Sequence, residues 1–150
     1  MAQPFSLQPL LEIMQERTDE ATRRLGQLIA AEQNAKSRLV MLEQYRDEYA
    51  QKLRDAISQG ITQLSLRNYQ DFLARIEEAI MQQAQQVRNS EHQTARGKEH
   101  WQSENKRMKA IDTLSHRHDM RERARENKIE QKLLDEFSSR KYNVSQHEED

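Results

Sequence analysis

Apolar residues recur along the first third of the chain at alternating intervals of three and four. Counting in sevens from Leu7 gives Leu7, Met14, Ala21, Leu28, Ala35, Leu42, Tyr49 and Ala56; the set four residues further on is Leu11, Thr18, Leu25, Glu32, Leu39, Arg46 and Leu53. Twelve of these fifteen positions are apolar. A 3-4 spacing held this long marks the seam of a coiled coil, in which slightly under-wound helices keep one stripe facing a partner. The stripe lapses at Ile57-Ser58-Gln59-Gly60 and restarts after Ser65 with Leu66, Tyr69, Leu73, Ile76, Ile80, Gln83 and Val87. Gly60 suits the left-handed residue that follows a helix end, and Ser65 suits the cap of the next helix. Further on the stripe turns polar at Ser90, Thr94 and Gly97, where the seam should be softer, and resumes at Trp101, Met108, Ile111 and, more weakly, Ile129.

Little along the chain would break a helix. Both prolines, Pro4 and Pro9, lie in the first nine residues, and the only glycines are Gly26, Gly60 and Gly97. The pattern therefore predicts an all-α fold in one unit over residues 1–150. Helix one covers about 5–58, a turn about 59–65 and helix two about 66–137, with a disordered acidic tail over 142–150. A single short turn between long helices makes them antiparallel neighbours, so the expected architecture is a long antiparallel two-helix coiled coil, an α-hairpin. With the turn near residue 61, positions whose numbers sum to about 122 lie level. Gly26 then faces Gly97, Trp101 lies near Ala21, and the acidic Glu12, Glu16, Asp19 and Glu20 run beside Lys106, Arg107 and Lys109. Helix two outruns helix one, leaving its last turns unpartnered, and at ~1.5 Å per residue it reaches on the order of 100 Å.

Composition fits this picture and narrows the function. Hydrophobic residues are 35% of the chain and charged residues 33%, against about 45–50% and about 25% in ordinary soluble domains, too few for a core of several layers. The 24 basic and 25 acidic residues nearly cancel, to a net charge of -1; interleaved charge of this kind clothes a solvated helix, whereas disorder usually comes with a large net charge. With no cysteine, disulfides, thiol catalysis and cysteine-bound zinc are excluded. No apolar run approaches the ~18 residues of a membrane span, and the amino terminus lacks the plan of a secretory signal, so a soluble cytoplasmic protein is expected.

The chemistry of a catalytic site is missing too. His116 and His118 are two apart, on different sides of a helix, and His92 and His100 have no third ligand nearby. No glycine-rich loop is present to cradle a phosphate. No catalytic, metal or cofactor-binding residue is expected, and the protein is read as a non-enzyme without cofactor. The basic residues between Lys106 and Lys128 are mixed with Asp112, Asp119, Glu122 and Glu126, which speaks against nucleic acid. Four of the eight aromatic residues, Tyr45, Tyr49, Tyr69 and Phe72, gather near the turn. Tyr49 and Tyr69 are seam positions, whereas Tyr45 and Phe72 flank the seam and Ile76 and Ala79 continue that side. Six such groups along one flank of a two-helix pair cannot all be buried, which marks a candidate partner-binding patch as well as a widened seam.

Several stretches, taken in order, resemble the FliJ family of flagellar type III export-apparatus proteins. They are Leu42-Glu43-Gln44-Tyr45-Arg46-Asp47-Glu48-Tyr49, Gly60, Asn68-Tyr69-Gln70-Asp71-Phe72-Leu73 leading to Ala79-Ile80, Trp101, and Gln131-Lys132-Leu133-Leu134-Asp135-Glu136-Phe137. The resemblance spans nearly the whole chain. It implies a stalk similar to that of rotary ATPases, inserted by one end into a hexameric export ATPase at the cytoplasmic face of the inner membrane. It also implies contact with the cytoplasmic domain of the membrane export-gate protein and escort of export chaperones. By the family's pattern the gate-binding positions are Leu42, Tyr45, Tyr49, Phe72, Ile76 and Ala79, with Ile76 and Gln83 as departures from it. The implied ATPase-binding end comprises Leu11, Met14, Arg117, Arg121, Arg125 and Ile129. Two other readings keep the fold: the corresponding stalk component of an injectisome, and a self-associating structural coiled coil with no ATPase partner.

Overall fold

The structure is a computed structural model that describes residues 3–148. Two α-helices form the fold: α1, Gln8–Gln59, of 52 residues, and α2, Gln63–Glu148, of 86. Pro9 sits in the first turn of α1, where a backbone N–H would have no intrahelical acceptor. Gly60 ends α1 with φ +88°, a left-handed backbone open to glycine without a Cβ penalty, and its N–H donates to the Ile57 carbonyl at 3.2 Å. Thr62, rather than Ser65, caps α2. Its Oγ1 accepts the Ser65 N–H at 3.1 Å and donates to Ser65 Oγ at 3.0 Å. An N-cap side chain satisfies an N–H of the first helical turn, and Ser65 supplies that N–H.

Packing divides the chain into two compact units: a hairpin unit, Asp19–Ser103, and a terminal unit, Met1–Thr18 with Glu104–Asp150. In the hairpin unit α1 and α2 run antiparallel on either side of the turn. Ala21 and Ala35 of α1 and Ile76, Val87 and Ser90 of α2 are buried, while Leu25, Leu28, Leu39, Leu42, Leu53, Leu66, Leu73 and Ile80 are half-buried. Two helices alone cover a side chain from one side only, and no side chain is enclosed completely among the described residues. Where the stripe turns polar, α2 is hydrogen-bonded onto α1. Gln83 Nε2 donates to the Ala35 carbonyl at 3.0 Å, Thr94 Oγ1 to the Leu28 carbonyl at 3.3 Å, and Trp101 Nε1 to Thr22 Oγ1 at 2.8 Å. Those two carbonyls lie one heptad apart, and each has a second lone pair free of the helix ladder.

The polar members of the α1 stripe have partners as well. Glu32 pairs with Lys36 at 3.3 Å, and Lys36 reaches Glu91 on α2 at 3.9 Å. Arg46 Nη1 lies 3.6 Å from Glu77, and hydrogen bonding to Asp47 pushes the guanidinium above its usual range, with Glu77 and Glu43 adding in the same direction. Exposed pairs of this kind set alignment more than stability. Trp101 meets Thr22, one residue from the expected Ala21. The expected pairing of glycines does not occur. A Cβ on Gly97 would lie 2.5 Å from Leu28 Cδ1 and 3.7 Å from Leu25 Cδ1, whereas Gly26 has nothing within 4 Å: Gly97 is in the seam and Gly26 on the outer face.

In the terminal unit Leu11, Thr18 and Glu104 are buried, and Leu10, Met14, Met108, Ile111, Ser115, His118 and Glu122 are half-buried. Thr18 Oγ1 donates to the Met14 carbonyl at 2.8 Å. The segment before α1 lies on α2. His118 Nε2 is 2.8 Å from the Gln3 carbonyl, the Phe5 and His118 rings are 5.5 Å apart, and the Gln3 N–H donates to Glu122 Oε2 at 3.3 Å. His118 is therefore an anchor rather than a solvated surface histidine. Glu12 and Glu16 form no ion pair with Lys106, Arg107 or Lys109, contrary to the expected charge match; Arg107 instead approaches Glu104 of its own helix at 4.0 Å. Beyond Glu122 every described residue is exposed, yet α2 continues to Glu148. The expected end near 137 and disordered tail are thus replaced by helix over 138–148, a stretch without glycine or proline. There Ser145 Oγ donates to the Tyr142 carbonyl and Gln146 Nε2 to the Tyr142 hydroxyl. Residues 149–150 of the expected tail lie outside the described residues.

Two stability measurements follow from the seam. Gly26→Ala gains helix propensity with no neighbour to disturb and should stabilise the protein by about 1 kcal/mol. Gly97→Ala gains the same propensity but must displace the Leu28 methyl, so its gain should be smaller; equal rises in melting temperature would show that Leu28 moves aside at no cost. Glu104 is a different case, because its Oε2 is buried with no hydrogen-bond partner. Replacing it with Leu removes that unmet requirement and should stabilise by ~1–3 kcal/mol. A destabilised Glu104→Leu protein in a chemical-denaturation series would contradict this account.

Candidate partner-binding surfaces

The first candidate surface is the aromatic flank of the hairpin unit. Phe72 leans on Tyr49 with ring centroids 4.3 Å apart and planes tilted by 41°, and Lys52 Nζ lies 5.0 Å from the Tyr49 centroid on the same ring. The two rings are in direct contact, yet Phe72 stays 41% exposed and Tyr45 50% exposed. Tyr49, Ser65, Asn68, Tyr69 and Phe72 line one shallow open depression, and Met41, Gln44, Tyr45 and Glu48 line another. At helical spacing Phe72 and Ala79 share one flank of α2, while Glu77, bound to Arg46, marks the other. Leu42, Tyr49 and Ala79 are half-buried. Ile76 does not belong to the exposed patch: at 8% exposure it is a seam residue that supports the patch from beneath. Met41, 55% exposed, extends the flank and was not identified by the heptad count; its spacing of four from Tyr45 is the signal that finds it.

The second candidate surface is in the terminal unit, and only part of the expected set comes together there. Arg121, Arg125 and Ile129 line one open depression with Ala124 and Lys128. Leu11 is 5% exposed and Met14 half-buried, so both belong to the seam; Arg117 lies a turn before Arg121 on the same side of α2. The helix also sorts charges that are mixed along the sequence. At 3.6 residues per turn Arg117, Arg121, Arg125, Lys128 and Lys132 fall on one side, and Asp112, Asp119, Glu122, Glu126 and Glu130 on another, with Arg123 as the one basic residue beside those acids. The result is a basic stripe with an apolar edge at Ile129, suited to an acidic protein surface.

His116 lies 3.8 Å from Asp112, one turn back on α2. Among the described residues no group of three or more His, Cys, Asp or Glu side chains is placed to hold a metal ion, and no helix is long and apolar enough to cross a membrane.

The whole chain has recognisable relatives. A family model described as flagellar FliJ protein matches residues 3–147. The flagellar FliJ protein of Escherichia coli (strain K12) is 32% identical over 140 residues, covering 93% of this chain and 95% of the relative. That of Salmonella typhi is 31% identical over 140 residues with the same coverage. Among solved structures, CT670 from Chlamydia trachomatis, described as a YscO homolog, superposes with a TM-score of 0.62 at 16% identity, covering 97% of this chain and 98% of the other. At that identity the likeness speaks for the helical fold alone. With the family model spanning almost every residue and two relatives above 30% identity across nearly their full length, the chain belongs to the flagellar FliJ family.

Proposed function

We propose that the protein is a non-enzymatic cytoplasmic stalk and adaptor of the flagellar type III export apparatus. In this reading it works at the cytoplasmic face of the inner membrane, links a hexameric export ATPase to the cytoplasmic domain of the export-gate protein, and escorts export chaperones. The observation that carries the reading is the aromatic flank. Tyr45 and Phe72 stand half in solvent at positions the hairpin itself does not need filled, and Leu42, Tyr49 and Ala79 frame them, with Ile76 as the buried support. The basic stripe of Arg117, Arg121 and Arg125 with Ile129 is the surface assigned to the ATPase, and Leu11 and Met14 hold α1 in place beside it. A stalk component of an injectisome would share this fold; the two flagellar relatives favour the flagellar system.

The double substitution Tyr45→Ala/Phe72→Ala tests the assignment. Loss of the Tyr49 contact should cost roughly 1–2 kcal/mol of stability, below the ~3–5 kcal/mol of an enclosed aromatic core residue. Circular dichroism should show unchanged helicity. Affinity for the isolated gate domain, measured by calorimetry, should fall about thirtyfold or more, since truncating an interface aromatic commonly costs ~2 kcal/mol; binding to the ATPase should be unaltered. Unchanged gate affinity would refute the assignment.

A further inference from the structure

Along α2, the seam of the terminal unit passes through Glu104, Met108, Ile111, Ser115, His118 and Glu122, alternately four and three apart and each buried or half-buried. Gln3 meets Glu122 where this coverage stops. The same side of the helix then continues without a cover. At 3.6 residues per turn, Ile129, Leu133, Phe137 and Val144 fall within roughly 80° of one another, in line with the seam residues before them. They are 51%, 60%, 67% and 59% exposed. Ile129, Leu133 and Phe137 follow one another on successive turns, and Val144 resumes the face beyond Arg140, which lies within it; an ordered apolar row of that kind, unlike single scattered exposures, marks an interaction surface. A helix with no packed face is also only marginally stable in water.

We infer that a second copy of this chain covers the stripe, the two α2 segments pairing antiparallel about a two-fold axis near Phe137. Charge selects both the occupant and its direction. Just before Phe137 the segment carries Glu130, Asp135 and Glu136 with Lys132; just after it come Arg140 and Lys141, and only further on His147 with Glu148, Glu149 and Asp150. The acidic residues just before Phe137 in one copy thus complement Arg140 and Lys141 just after it in another. Antiparallel pairing brings Glu130 and Glu136 within about one helical turn of Arg140 and Lys141 of the second copy, and sets Ile129 beside Val144. Parallel pairing would stack Glu130 on Glu130 and Arg140 on Arg140, which repel. A two-fold pairing closes on itself, so it stops at the dimer. The stripe is short, well below a standard stable interface of about 1,600 Å², so the dimer is weak and depends on concentration. Pairing covers Ile129, and a dimer therefore excludes any other occupant of that position. The inference stands apart from the function proposed above, because its test uses this chain alone.

Sedimentation equilibrium of the full chain, from micromolar to submillimolar concentration, should show a reversible monomer–dimer equilibrium. Leu133→Glu/Phe137→Glu, which alters only exposed side chains, should raise the dissociation constant at least tenfold. Because the chain has no cysteine, disulfide trapping reads the geometry separately. Phe137→Cys protein should oxidise to a covalent dimer by itself, and Ile129→Cys protein should do so only when mixed with Val144→Cys protein. Three results would overturn the pairing: a monomer at every concentration, a dimer unaffected by the double substitution, or ready linkage of Ile129→Cys to itself.

Discussion

Two helices that pack only against each other can shield a side chain from one direction and no more. Every other property of this structure depends on that constraint. The buried apolar set is short, Leu11, Ala21, Ala35, Ile76 and Val87, and the stripe leucines from Leu25 to Leu53 remain half-buried. A fold so lightly buried draws its stability from the length of the contact, repeated turn after turn, and from backbone ladders that proline and glycine leave intact. It also exposes apolar side chains on both flanks as a matter of geometry. Exposure alone therefore says little here; an ordered stripe or a stacked pair such as Tyr49 and Phe72 says more.

The fold was legible because its signal is periodic and redundant. Twelve apolar positions in fifteen, one lapse at Gly60 and no later proline leave almost no arrangement other than a hairpin. What the pattern could not reveal lies where a single residue departs from its average. Ser65 and Thr62 are both competent caps, and only the path of the chain selects Thr62. Glu104 occupies a seam position in full view of the heptad count, yet charge makes it read as surface. His118 reads as solvated until residues 3–7 fold onto it. The helix over 138–148 was hidden by composition, since a polar, exposed segment and a frayed one have the same residues.

The surfaces were legible in part and for similar reasons. Tyr45 and Phe72 announced themselves by lying one step off the seam, a property of spacing. Ile76 counts both as a seam position and as a neighbour of the flank, and its burial assigns it to the seam. In the terminal unit the charges of residues 112–132 are mixed along the chain and look neutral; wound at 3.6 residues per turn, all but Arg123 separate into a basic side and an acidic side. Reading charge by helical angle rather than by sequence window would have found the separation.

The hydrogen bonds from Gln83, Thr94 and Trp101 to α1 have a mechanical consequence. Apolar contacts in a heptad seam are nearly equivalent after a slide of seven residues, so leucines alone would let one helix creep along the other with small changes in energy. A donor fixed on one carbonyl is not equivalent after such a slide unless another acceptor waits at the new position with the same geometry. The carbonyls of Leu28 and Ala35 accept from two different side chains, and a slide would have to break both together with the indole contact to Thr22. In the hairpin unit these bonds act as keys against shear: a pull along α1 is transmitted to α2 without slip, in the stretch where greasy packing is thinnest.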